Sequence, residues 1–249
     1  MRRILQWVLT IPFWVAFGLC LLVFDIAGRI VRPFSLRGFE IVMAALQRSL
    51  VAVFGILGTR IEIERDPAVR PHTGYAIISN HQSLIDIVLI GGMLFTNFPK
   101  YVAKNELGKG IPSISLNLKR GGNALIDRND RMQSIRAITD MAKTAQERNV
   151  SVVIFPEGTR SRDGSLGEFK PAGSQALLRA ADRLPVVPTA IEGSWRLHRL
   201  WPAPVGQRVR IRFGAPMERS KGDEKALTEA AHAFIESTLA GWKAEASQA

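Results

Sequence analysis

Uncharged, mostly apolar residues run without a break from Ile4 to Phe24, 21 positions that as a helix extend roughly 32 Å, about the hydrocarbon thickness of a bilayer. A second apolar stretch, Phe39 to Leu57, is interrupted by Glu40, Gln47 and Arg48, charges and an amide that an isolated span would expose to lipid. Pro33 and Gly38 mark a turn between the two. Arg2 and Arg3 precede the first stretch and Arg29, Arg32 and Arg37 follow it, so flanking charge favours neither orientation of a single span. Two full spans would carry the three-arginine loop to the face opposite the rest of the chain, against the usual bias. The pattern therefore predicts a helical hairpin embedded in one leaflet. A signal peptide fits less well, since the run is too long and no A-x-A site follows. A core helix also fits poorly, because Trp7, Phe13, Trp14, Phe17 and Phe24 are spread over all faces.

Beyond Arg60 the texture changes. Short β-rich runs are predicted at Ile61 to Ile63, Tyr75 to Ser79, Tyr101 to Ala103, Ala124 to Ile126, Val152 to Phe155, Val186 to Ile191 and Val209 to Phe213. Several are continuously apolar, as strands buried on both faces require. Helical patterns separate them at Leu84 to Met93, Arg131 to Glu147, Ala172 to Arg183 and Glu224 to Trp242, the last an amphipathic cover helix. The expected fold class is α/β, a mixed central sheet flanked by helices with the N-terminal hairpin attached. The expected division is a membrane anchor over residues 1–58 and an α/β domain over 59–249.

Charge and composition narrow the function. The chain carries 33 Lys plus Arg against 22 Asp plus Glu, a formal net charge of +11. Such a balance attracts phosphates, either of nucleic acid or of an anionic membrane surface, and the apolar N-terminus favours the membrane. A single cysteine, Cys20, excludes an intramolecular disulfide and a cysteine-rich zinc site. The four histidines, His72, His81, His198 and His232, have no metal-binding spacing.

The richest chemistry lies in Ile78 to Asp86, where a buried strand ends in polar residues before an apolar helix. His81 and Asp86, five apart, meet only if His81 sits in the turn before the helix. Asp86 would then bond one imidazole nitrogen and leave the other to take a proton from a hydroxyl, a base without a protein nucleophile. The same residues also read as a helix capping box, Ser83-x-x-Asp86. Phe155 to Arg162 emerges at another strand end. There Gly158 permits close approach of a ligand, Arg160 suits bidentate phosphate binding, and Glu157 suits a hydroxyl or an arginine partner. Lys104 and Arg128 sit at the edges of apolar runs, as phosphate contacts or as ordinary surface charges. Val187 to Ile191 offers no acid or base, so Pro188 is read as part of a sheet wall or an apolar channel.

Taken together, these segments resemble the glycerophospholipid acyltransferases, specifically the 1-acyl-sn-glycerol-3-phosphate acyltransferases. Asn80, His81 and Asp86 match N-H-x-x-x-x-D, and Gly122 to Arg128 match G-x-x-x-I-D-R. Phe155 to Ser161 match F-P-E-G-T-R-S, and Val187 to Ile191 match V-P-x-A-I, all four in order. The resemblance covers about residues 75–192. It implies that His81 is the general base and Asp86 its orienter. It further implies phosphate contacts at Lys104, Arg128 and Arg160, acceptor-binding residues at Glu157 and Gly158, and an acyl channel near Pro188. The implied reaction moves a fatty acyl group from acyl-CoA or acyl-carrier protein to the sn-2 hydroxyl of a lysophosphatidate, with no metal or redox cofactor. The apolar hairpin and its basic loop, Arg29 to Arg37, place the expected location at the membrane surface, with the catalytic domain on the cytoplasmic face.

Two departures bear on the acceptor: Phe169-Lys170-Pro171-Ala172-Gly173 delays a family glycine by one residue, and Leu84 replaces an aromatic residue. Another lysolipid, such as lyso-ornithine lipid, therefore stands as an alternative acceptor. A serine hydrolase lacks its G-x-S-x-G elbow, and Gly108 to Gly110 lacks the rest of a P-loop. A nucleic-acid-binding role would leave the apolar hairpin and the His81/Asp86 junction unexplained.

Overall fold

The computed structural model describes residues 2–127 and 129–248. It opens with α1 (Arg2–Val31) and α2 (Leu36–Val53). Then follow β1 (Arg60–Arg65), β2 (Ala76–Ser79), α3 (Ile85–Met93), β3 (Lys100–Lys104), α4 (Ile114–Arg120), β4 (Ala124–Ile126) and α5 (Arg131–Glu147). The chain ends with β5 (Val152–Ile154), α6 (Pro171–Ala180), β6 (Val186–Glu192), β7 (Arg208–Phe213) and α7 (Glu224–Gln248). The strands form one sheet in the order β1-β7-β6-β2-β5-β3-β4. Every pairing is parallel except β6 with β7, which makes the sheet mixed.

All seven expected strands form, within a residue or two of their ends. Residue alternation splits them between two cores. Ile77, Val153 and Val187 face a layer holding Leu89 and the N-terminal Phe13, Phe54 and Leu57. Ala76, Ile78, Val152, Ile154 and Val186 face the other layer, with Ile138, Met141, Leu177 and Ala231. Both faces of the central strands are thus covered, which is why those runs read as uniformly apolar. Edge strand β1 is charged instead, and Glu62 and Glu64 pair with Arg208 and Arg212 across the β1–β7 ladder. The short helix α4 has no counterpart in the sequence reading. Its seven residues are too few to show a period, and its start is fixed by tertiary bonds from Ser113 N to Asp25 Oδ1 and Ser113 Oγ to Leu21 O, 2.7 and 2.6 Å.

The hairpin forms, but it is not a separate unit. Its turn lies at Arg32 to Ser35, with Ser35 Oγ capping α2 through Gly38 N. Gly38 therefore sits inside α2, where a Cβ would meet Val31 Cγ1 at 2.8 Å. Phe13 is fully buried rather than facing lipid, and it shares a core with the sheet, so packing runs continuously across the 58/59 boundary. The polar residues that interrupt the second stretch point into the protein. Glu40, 3% exposed, accepts from Lys100 Nζ at 2.6 Å and Arg148 Nη2 at 2.9 Å, and Gln47 is also buried. Burial pushes the Lys100 ammonium below its usual value, an effect that the adjoining Glu40 carboxylate opposes. Both α1 and α2 are long and apolar enough to cross a membrane; half of the α2 window is buried within the protein, against 11% of the α1 window.

Candidate active site

The site is assembled at the C-terminal end of β2. Asn80 continues the sheet with its side chain: Nδ2 donates to Ile191 O and Oδ1 accepts from Ile191 N, both at 2.8 Å, tying the strand end to β6. His81 follows in the turn before α3. Its backbone N–H donates to Glu157 Oε1 at 2.7 Å, and its carbonyl accepts from Ser161 N at 2.8 Å. The Phe155–Ser161 block, distant in sequence, thus holds the histidine by both its main-chain N–H and its carbonyl. Its ring stacks on Phe155, with centroids 4.1 Å apart and planes 16° from parallel.

His81 Nδ1 lies 2.8 Å from Asp86 Oδ2. Asp86 is fully buried in the first turn of α3, and the same oxygen accepts from Gln82 N and Ser83 N at 2.6 and 2.8 Å. The two sequence readings of Asp86 are therefore one arrangement, in which the carboxylate gathers the amides ahead of α3 and orients the imidazole. A carboxylate at Nδ1 makes that nitrogen the donor and leaves Nε2 as a proton acceptor.

Glu157 is 4% exposed, and its second oxygen accepts from Gly167 N at 3.1 Å. Burial raises its carboxyl above the usual range, and the bonds from His81 N and Gly167 N pull the other way. Both oxygens are engaged by the main chain, so the side chain acts as a brace between two loops. Gly158 adopts φ +66, a conformation that favours glycine, and the Lys170 side chain runs across it.

His81 opens into a cleft of about 470 Å³. Its apolar wall includes Val102, Ile126 and Ile154, and its cationic wall is Lys104, Arg131 and Lys170. Among the described residues none of these three cations has a carboxylate partner within ion-pair distance. In the sequence, Lys104 stands out as a phosphate contact through the family resemblance, whereas Arg131 reads as a helix start and Lys170 as part of a spacing departure. Arg160 is exposed and does not line this cleft. Arg128 lies outside the described residues. Pro188 sits in central strand β6 and borders a different cavity, of about 560 Å³, with Phe213, Gly214 and Phe234. The structure does not bring it to His81.

A family model described as Acyltransferase matches residues 60–192, the span from β1 to the end of β6. A 1-acyl-sn-glycerol-3-phosphate acyltransferase of Cocos nucifera is 32% identical over 180 residues, 69% of this chain and 54% of the relative. One from Salmonella typhimurium is 31% identical over 153 residues, covering 58% of this chain and 60% of the relative. The chain spans about half the length of several curated relatives that it matches. The crystal structure of the 1-acyl-sn-glycerophosphate acyltransferase PlsC from Thermotoga maritima superposes with a TM-score of 0.79 over 98% of both chains at 22% identity, a likeness of fold. With the matched region enclosing the His81/Asp86 junction, the Glu157 brace and β6, the chain belongs to the acyltransferase family.

Proposed function

We propose that the protein transfers a fatty acyl group from a thioester, of coenzyme A or acyl-carrier protein, to the sn-2 hydroxyl of 1-acyl-sn-glycerol-3-phosphate. The observation that carries this reading is the His81–Asp86 pair opening into a cleft with one apolar and one cationic wall. Nε2 takes the hydroxyl proton as the oxygen attacks the thioester carbonyl. The tetrahedral intermediate collapses, the C–S bond breaks, and the departing thiolate receives that proton from the imidazolium. Lys104, Arg131 and Lys170 offer the donors that a phosphate dianion takes. The names of the relatives support the acceptor class.

The exposed side of α1 supports a membrane surface as the place of reaction. Ile4, Val8, Ile11, Val15, Leu19 and Val23 are each more than half exposed. The opposite side is fastened along its length. Thr10 Oγ1 accepts from Ala203 N, Trp14 Nε1 donates to Leu200 O, Asp25 Oδ1 accepts from Ser113 N, and Arg32 Nε donates to Arg120 O. These ties cover roughly 33 Å of helix. A perpendicular span would drag the polar domain into the bilayer, so α1 lies within one leaflet, with Arg29, Arg32 and Arg37 among headgroups on the cytoplasmic side.

The test uses the full chain in mixed micelles with lysophosphatidate or lyso-ornithine lipid and each thioester donor, following thiol release and acylated product together. Stoichiometric thiol and phosphatidate are expected. Thiol release without acylated lipid would sink the acyltransfer reading, and product with lyso-ornithine lipid alone would reassign the acceptor.

A further inference from the structure

Asp86 has no exposure to solvent, and an ionised carboxylate in such a place needs both oxygens engaged. Oδ2 has three donors from its own segment, His81, Gln82 and Ser83. Oδ1 is met from elsewhere in the chain, by Ser194 Oγ at 2.5 Å, and Ser194 is itself fully buried. Gln82 Oε1 also lies within reach of that hydroxyl, at 3.4 Å, but the hydroxyl has one proton and the shorter contact to a charged acceptor takes it.

The local fold delivers the serine there. After β6, Gly193 turns the chain at φ +88, in a place where a Cβ would run into the Arg208 carbonyl. A 3₁₀ turn, Ser194–Leu197, starts at once, and its first side chain arrives beneath α3. Sequence alone gives Ser194 no such role, since it lies outside all four matched blocks and 108 residues from its acceptor.

We propose that Ser194 is a positioning residue for acyl transfer, holding Asp86 as an anion in the rotamer that meets His81 Nδ1. The proposal rests on the reading of His81 as the base. Without the hydroxyl, Oδ1 is buried and unpartnered, and the carboxylate relieves this by turning or by binding a proton. The titratable and charged groups facing the pair are Glu157, on the loop after β5, and across the cleft Lys104 at the end of β3, Arg131 at the start of α5 and Lys170 just before α6. Ser194→Ala leaves all four in place. The bond that holds His81 Nδ1 and keeps Nε2 free is thereby weakened, and turnover is expected to fail at a higher pH than in the unaltered chain.

The test compares Ser194→Ala, Ser194→Thr and Ser194→Cys with the unaltered full chain in mixed micelles, measuring kcat and acceptor KM across pH. In Ser194→Ala, kcat is expected to fall about ten- to a hundred-fold with KM unchanged. Its acid limb is expected to move up by about one pH unit. Threonine restores the hydroxyl and with it the wild-type limb; cysteine, a weak donor in the same volume, gives an intermediate one if the extra methyl of threonine prevents folding. A Ser194→Ala variant with the wild-type acid limb overturns the proposal, whether its turnover is normal or is lowered together with its melting temperature. His81→Ala is run alongside. If it retains turnover, the reading of the base fails and this proposal fails with it. An inactive His81→Ala beside an unaffected Ser194→Ala overturns the Ser194 assignment alone.

Discussion

His81 Nδ1 and Asp86 Oδ2 are 2.8 Å apart, and that one bond joins the turn after β2 to the first turn of α3 with the tautomer fixed. Asp86→Asn keeps the size of the side chain but makes one of its termini a donor, so the imidazole no longer presents a free Nε2 in the same pose. Both Asp86→Asn and His81→Ala are expected to lose about 10² to 10⁴-fold in kcat, the usual contribution of a positioned base. Turnover near wild type in either variant, with a native circular dichroism spectrum, would refute the assignment.

Glu157 braces the backbone of His81, so its removal bears on turnover and stability ahead of acceptor affinity. Glu157→Ala leaves the His81 and Gly167 amides unpaired and is expected to cost about 1–3 kcal/mol of stability, with kcat lowered more than KM is raised. A rise in KM alone would return the residue to direct acceptor binding.

The same residue sets a pH dependence. Burial raises its folded-state pKa, so the native state holds this proton more tightly than the unfolded state. Its contribution to stability is complete below the unfolded pKa and is lost as pH rises through the folded one. Thermal melts from about pH 4 upward are expected to show this loss in the wild type and not in Glu157→Gln. An identical slope in the two proteins would contradict it.

The cationic wall of the cleft divides the candidate phosphate contacts. Lys104→Ala and Lys170→Ala are each expected to raise acceptor KM roughly ten-fold or more, the scale of one charge-assisted bond. Arg160→Ala, outside that wall, has the smaller effect. A ranking with Arg160 first would overturn the assignment of the phosphate to this wall.

Glu40 joins the hairpin to the sheet. Glu40→Gln strands Lys100 as a buried charge and is expected to cost about 3–5 kcal/mol, read from detergent-phase thermal unfolding. Deleting residues 1–58 removes this partner and part of the core, so truncation is expected to unfold the domain. Membrane attachment is tested instead on the outer face of α1. Val15→Glu with Leu19→Glu should release the folded protein from anionic vesicles, since each buried aliphatic side chain contributes about 1.5–3 kcal/mol. Undiminished sedimentation with vesicles would place the attachment elsewhere.

The seven strands were readable in the sequence because strands buried on both faces appear as short apolar runs between turn residues, and α5 because seventeen residues display its period. His81 and Asp86 were readable for a related reason: their contact is local, a turn and one helical turn apart. What depends on contacts between distant segments was not. The Glu40 carboxylate looks like a flaw in an apolar stretch until Lys100, sixty residues on, is placed beside it. Phe13 looks like a lipid-facing aromatic residue until Phe54 packs against it at 5.2 Å. Lys170 gains meaning only when its backbone bond to the Pro156 carbonyl sets its side chain across Gly158 at the cleft, and Ser194 only when the Gly193 turn carries it beneath α3. Local periodicity encodes which face of an element is apolar; only the closing of the sheet decides which buried polar atoms meet, because each must find a partner that lies elsewhere in the chain.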